Sequence, residues 1–180
     1  MHEVYLGLGS NLGDREQQLK QAIRFIDERI GEVVRQSSFI ETEPWGFQSD
    51  HRFLNAAICC LTDKTPREVL QLTQQIERDL GKTKAHATRR APQSSVLSPQ
   101  PSALSPQPSS ITPHPSSITH HPSALSPQPS YYDRPIDIDI LLYDDWKVSE
   151  PDLKIPHPLM HQRDFVMIPL KEIMTEQTNP

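Results

Sequence analysis

Asp133 to Asp144 reads DRPIDIDILLYD, and within it Ile136 to Tyr143 alternates isoleucine with aspartate before becoming apolar. A period of two is the mark of a strand, because successive side chains point to opposite faces of a sheet. Ile136, Ile138 and Ile140 therefore share one face, and Asp137 and Asp139 the other. The apolar face calls for a cover of helices. The two carboxylates, about 6.5–7 Å apart along the backbone, repel each other unless something cationic sits beside them. Mg²⁺ suits such a pair, being a hard ion that takes one or two carboxylates plus substrate phosphates. A solvated strand face is the plainer reading, and the Asp-x-Asp spacing alone does not decide between the two.

Outward from this strand, the rest of the chain resolves into alternating patterns. Val4 to Ser10 (VYLGLGS) reads as a strand running into glycines. Asp14 opens a helix, with Gln17 in capping-box position. Leu19, Ile23, Ile26 and Ile30 make its apolar face, and Gly31 suits the C′ position. Val33 to Thr42 and Phe53 to Thr62 (FLNAAICCLT) read as strands. Thr65-Pro66-Arg67-Glu68 is a second capping box with proline at the first helical position. Val69, Leu72, Ile76 and Leu80 follow on one face, and Gly81 ends that helix. The order β-α-β-β-α-β predicts an α+β, ferredoxin-like fold, an antiparallel sheet with helices on one face.

Between the second helix and the Asp-x-Asp strand lies a segment of different character. From Ser95 to Pro129 the units SVLSPQP, SALSPQP, SSITPHP, SSITHHP and SALSPQP recur, and they hold many of the chain's eighteen prolines. Proline fixes φ and removes a donor, so neither helix nor central strand persists through them. The stretch reads as a disordered, partly polyproline-II loop inserted in a single domain spanning 1–180. A passenger repeat, tolerated because closure entropy grows slowly with length, and a ligand for a proline-recognising module are both open.

The net charge of −5 over 180 residues argues against a nucleic-acid protein held by general positive charge. No stretch approaches the roughly 18 apolar residues of a membrane span. Met1-His2-Glu3 lacks the basic and apolar regions of a signal peptide, so a cytoplasmic protein is expected. Cys59 and Cys60 are adjacent, hence poor disulfide partners, and read as reduced, buried thiols.

Cations gather around the Asp pair in sequence. Arg134 lies three residues before Asp137, Lys82 and Lys84 follow the second helix, and His157 and Arg163 come later. Taken singly, each reads as a surface charge. Together they would surround a polyphosphate while the Asp pair holds metal, as phosphoryl transfer requires. Gly7 to Gly13 (GLGSNLG) has the wrong spacing for a dinucleotide fingerprint, and no GxxxxGK[ST] motif exists in the chain. Those glycines suit a tight strand-to-helix turn.

GLGSNLGD (Gly7 to Asp14), Thr42-Glu43-Pro44-Trp45-Gly46, FLNAA (Phe53 to Ala57), TQQIERDLGK (Thr73 to Lys82), DRPIDIDILLYD (Asp133 to Asp144) and IPHPLMHQRDFVMIPL (Ile155 to Leu170) occur in that order. The combination resembles the 6-hydroxymethyl-7,8-dihydropterin pyrophosphokinase family. The resemblance implies ATP as co-substrate, two Mg²⁺ ions held by Asp137 and Asp139, and transfer of a pyrophosphoryl group to the pterin alcohol with release of AMP in folate biosynthesis. It implies Lys82, Arg134, Asp137 and Asp139 as catalytic residues. It implies Thr42, Pro44, Trp45, Phe53, Asn55 and Phe165 as pterin contacts, with Phe53 where tyrosine is common. It implies Gln74, Glu77, Lys84, Ile140, His157 and Arg163 on the ATP side. It also implies a mobile lid between the second helix and the Asp-x-Asp strand, into which the repeat falls. A monomer with small-molecule substrates, no nucleic acid and no membrane is expected. A tethered binding protein on the same scaffold would be expected to drift at Asp137, Asp139, Arg134 and His157, all of which are present. An RNA-binding module would need exposed aromatics on the sheet and a basic patch.

Overall fold

The computed structural model describes residues 1–82 and 133–175. The repeat from Ser95 to Pro129, the lid around it and Lys84 lie outside the described residues. Strand β1 (His2–Ser10) leads to α1 (Arg15–Arg29), β2 (Glu32–Gln36), β3 (Ile40–Thr42), β4 (Phe53–Thr62) and α2 (Pro66–Asp79). After the gap come β5 (Asp137–Tyr143), the hairpin β6 (Val148–Ser149) and β7 (Lys154–Ile155), and α3 (Asp164–Thr175). The main sheet runs β2-β4-β1-β5, antiparallel throughout, with β3 extending β4 beyond β2.

Local sequence accounts for the helix ends. The Asp14 carboxylate caps α1 by accepting from Gln17 N at 3.0 Å. Thr65 and Glu68 form the reciprocal capping box of α2, with Pro66 in its first turn. Gly81 takes a left-handed φ of +95° after α2, as a C′ glycine should. Gly31 is glycine for another reason. It has no left-handed φ, but an added Cβ would lie 2.1 Å from the Leu61 carbonyl oxygen, so β4 passes too close for any side chain.

Alternation along the strands divides the core in two. Val4, Leu6, Leu8, Ile58, Cys60, Ile138 and Ile140 pack beneath Leu19, Ile26, Val69 and Ile76 of α1 and α2. Tyr5, Ala57, Cys59 and Leu141 face the other way and pack beneath Val166, Leu170 and Ile173 of α3. The expectation of helices on one face thus holds for α1 and α2, while α3 covers part of the opposite face. Its sequence, DFVMIPLKEIMT, is too apolar on all sides to declare a face. Cys59 and Cys60 fall on opposite faces, both free. Burial pushes the Cys59 thiol up to about 11 and the Cys60 thiol up to about 12.

One strand reading needs correction. Val33 to Thr42 is not one strand. Ser37 is buried between β2 and β3; its backbone N–H donates to the Ala57 carbonyl at 2.9 Å while its hydroxyl accepts from Ala57 N at 2.9 Å, so a side chain takes over half of the pairing there. In β5 the register slips by one residue opposite Tyr5 and Leu6. The bulge turns Tyr143 back to the α1/α2 face, where its hydroxyl donates to the Lys64 carbonyl.

Candidate active site

Because α3 covers only part of its side of the sheet, the remainder stays open. Two rows of residues run into the open part: Asn55, Gly9 and Asp137, then Gly7 and Asp139 beside Ala57, which α3 covers. Gly7 and Gly9 lie within β1, as the strand reading of Val4 to Ser10 has them, so the tight turn assigned to Gly7 to Gly13 as a whole does not include them. In that motif the turn belongs to Gly13, with φ +66°. Lacking side chains, the two glycines form the floor of a pocket between an amide and a pair of carboxylates. A Cβ at Gly9 would stand 2.9 Å from Asn55 Oδ1 and close that gap.

The walls come from three segments. Thr42, Glu43, Trp45 and Phe47 follow β3, Phe53 opens β4, and Arg163, Phe165 and Val166 lead into α3. Phe47 stands edge-on to Phe53, ring centroids 6.1 Å apart, and Trp45 lies 6.5 Å from Phe165. The Arg163 guanidinium carbon sits 4.7 Å from the Trp45 centroid, and that of Arg134 lies 5.5 Å from Phe53. Asn55 Nδ2 donates to Thr42 Oγ1 at 2.8 Å. With the amide nitrogen so occupied, the Asn55 oxygen is the atom turned toward Gly9. A second cleft runs along the outer edge of β5, lined by Leu70, Ile140, Lys154 and His157. Asp139 lines both.

Residues 5–120 and 117–175 match the family described as 7,8-dihydro-6-hydroxymethylpterin-pyrophosphokinase (HPPK). The chain belongs to this family. A Porphyromonas gingivalis protein named 2-amino-4-hydroxy-6-hydroxymethyldihydropteridine pyrophosphokinase is 40% identical over 171 residues, covering 94% of this chain and 89% of that one. A Bacillus subtilis protein of the same name is 32% identical, covering 94% of this chain and 77% of its own length. The folate synthesis bifunctional protein of Pisum sativum is 30% identical over 96% of this chain and 25% of its own.

In this HPPK chain two cations converge on Asp137. Lys82 Nζ lies 2.7 Å from both Asp137 Oδ1 and Glu77 Oε1, and Arg134 Nη2 lies 3.1 Å from Asp137 Oδ2. Burial alone would push the Asp137 carboxyl up, but Arg134 and Lys82 outweigh it and hold it below the usual range. Asp139 behaves oppositely: burial, then the neighbouring Asp137 charge, push it up to about 7. Burial would likewise lower Lys82, and Asp137 and Glu77 more than compensate. Such a donor set fits a divalent cation. Asp139 is a carboxylate under strain from its neighbour, which added positive charge would relieve. Among the described residues no group of three or more His, Cys, Asp and Glu side chains is placed to hold a metal. An ion here would complete its shell with ligand oxygens, as Mg²⁺ commonly does.

Of the residues singled out from sequence, Thr42, Trp45, Phe53, Asn55, Arg134, Asp137, Asp139, Arg163 and Phe165 line the first pocket. Ile140 and His157 line the second. Lys82 and Glu77 stand against Asp137 from behind. Glu77 is buried and also accepts from the outward-facing Ile138 N at 2.8 Å. Pro44 is not in the pocket wall, and Gln74 is exposed on α2. Sequence reasoning missed Gly7, Gly9, Glu43, Phe47 and Val166. The alternation of β1 places its glycines on the same face as Tyr5, and that was the available signal.

His157 is held to β5 by its N–H, which donates to the Leu141 carbonyl at 3.0 Å. Burial and then the Arg163 charge hold its imidazole below 6.5. The unfolded chain therefore takes up that proton first on acidification. The stability contributed by neutral His157 is complete above the unfolded value of 6.5 and is lost as pH falls toward the lowered folded value. His157→Gln is expected to flatten the dependence of melting temperature on pH in that window. An unchanged slope would show that His157 titrates alike folded and unfolded.

Proposed function

We propose that this chain transfers a pyrophosphoryl group from ATP to 6-hydroxymethyl-7,8-dihydropterin, giving AMP and the pterin diphosphate for folate biosynthesis. The observation that carries this reading is the shared row of Asn55, Gly9 and Asp137. It sets an aromatic-walled, hydrogen-bonding pocket directly beside the Asp pair and the second cleft. The flat pterin ring lies between Phe53 and Phe165, with Trp45 at its side. Asn55 Oδ1 accepts from a donor on its polar edge, and Thr42 holds the Asn55 amide in place. The nucleotide occupies the cleft of Ile140 and His157, with Arg163, Lys82 and Arg134 supplying positive charge for its phosphates, and Lys84, outside the described residues, keeping the ATP-side role that the resemblance implies. Asp137 and Asp139 would hold Mg²⁺, two ions in this reading, which would supply charge neutralisation of the phosphates.

In the transfer itself, the hydroxymethyl oxygen attacks the β-phosphorus and loses its proton. The bond from that phosphorus to the oxygen bridging the α-phosphate breaks, and AMP leaves with the electron pair. No covalent enzyme intermediate is required. The contribution of the protein is alignment and stabilisation of the charge that develops on phosphoryl oxygens.

The finer fold assignment is ferredoxin-like, which the strand order β2-β4-β1-β5 with α1 and α2 on one face supports. The chain is read as one domain of 1–180 with the repeat of 95–129 set into its lid. It is also read as a monomer without nucleic-acid partners, which the net charge of −5 favours. Its place is the cytoplasm, which the free, buried Cys59 and Cys60 suit. Among the described residues no helix is long and apolar enough to cross a membrane. Incubation with MgATP and the reduced pterin alcohol is expected to release one AMP per pterin diphosphate formed. ADP as the nucleotide product would overturn the reading, because it would mean transfer of a single phosphoryl group.

A further inference from the structure

Within Gly7 to Gly13, the glycines explain the pocket floor and the turn, but Asn11 takes no part in either. It is 2% exposed and joins three segments of the chain. Its Nδ2 donates to Asp133 Oδ1 at 2.6 Å and to the His51 carbonyl at 3.4 Å. Its Oδ1 accepts from Arg134 N at 2.8 Å, and its own backbone N donates to the Arg134 carbonyl at 3.2 Å. Arg134 is thus gripped at both its N–H and its C=O. From that fixed backbone its guanidinium reaches Asp137 and lies over Phe53. His51 ends the segment that carries the aromatic wall into β4.

We propose that Asn11 is a positioning residue for the transfer reaction. It fixes Arg134 between the carboxylate of Asp137 and the ring of Phe53, and keys that placement to the segment entering the aromatic wall. The proposal rests on the functional reading above. The chemistry calls for an amide. One small group must donate to a carboxylate and accept from a backbone N–H at once. Leucine offers neither, and aspartate would set a second carboxylate against Asp133. A cation misplaced by a fraction of its reach loses the geometry on which transfer depends.

The test uses the full chain in the AMP-release assay, with melting temperature recorded for every variant. Asn11→Ala is expected to lower kcat roughly 10- to 100-fold. Arg134→Ala should lower it at least as far. In the Arg134→Ala background, Asn11→Ala should then cost no more than about twofold, because residues acting through one another are not additive. A purely structural Asn11 would instead multiply its full effect onto that of Arg134→Ala, and that result overturns the proposal. If Asn11→Ala does not fold, Asn11→Asp takes its place. Asn11→Asp should lose activity, and adding Asp133→Asn should restore it, since donor and acceptor then exchange sides. Failure of that rescue also overturns the proposal. A wild-type chain that makes no AMP would defeat the functional reading itself. An active wild type with unaffected Asn11 variants defeats only this inference.

Discussion

Asp139→Asn is expected to cut AMP formation roughly a thousandfold while leaving the folded protein at least as stable as before. The two effects have one source. Burial and the Asp137 charge raise the Asp139 carboxyl to about 7 in the fold, against an ordinary 3.8. Between those values the native state holds a proton that the unfolded state has lost. Wild-type stability therefore falls as pH rises through that interval, and the cost is complete above it. The amide never carries the charge. Its melting temperature should exceed that of wild type at about pH 8, and the difference should shrink toward about pH 5. Asp137→Asn should lose activity to a similar degree but lose stability as well, because Lys82 and Arg134 are left without their shared counter-charge. Near-normal turnover with Mg²⁺ in either variant would remove the carboxylates from the metal site. Melting temperatures that move the same way in both would refute the division of labour between them.

Asn55→Ala should weaken pterin binding by roughly 1–3 kcal/mol and leave a non-hydrolysable ATP analogue nearly unaffected. Asn55 is 4% exposed, its Nδ2 is engaged with Thr42, and its oxygen faces the glycine floor. Truncation removes the acceptor and leaves a donor on the ring edge without a partner. The substrate then pays for desolvation without compensation, and that cost is the larger part of the loss. Calorimetric titration with each ligand separates the outcomes. Equal losses for pterin and nucleotide would make Asn55 a structural residue of β4.

Much of this was legible because the decisive patterns are local. The alternation of Ile136 to Ile140 fixed which residues of β5 face the helices and which face the pocket, and the Asp14 cap of α1 and the capping box of α2 fixed two helix starts. The role of Gly7 and Gly9 was not legible, because a glycine in sequence signals conformational freedom and here serves as empty space between strands. The break at Ser37 was hidden because it depends on a hydroxyl meeting a backbone N–H twenty residues away. The buried face of the third helix was not legible because it is defined only by the sheet that the helix covers. Asn11 escaped because its partners, Asp133 and Arg134, lie more than a hundred residues further along the chain.

The two cations on Asp137 have a consequence for what the chain between them is free to be. Lys82 follows α2 and Arg134 precedes β5, and both end on a single carboxylate. Lys82 and Arg134, which flank residues 83–132 in sequence, are thus moored at one point. The geometry at that mooring is set by Glu77 on one side and Asn11 on the other, neither of which belongs to the intervening chain. Adding length between these two residues costs only about 0.6 kcal/mol per doubling in closure entropy. The position is therefore a docking port in the engineering sense. Length can be added at the repeat of 95–129 while Lys82 and Arg134 keep their shared carboxylate, so that repeat is the natural place to graft a reporter or an affinity handle.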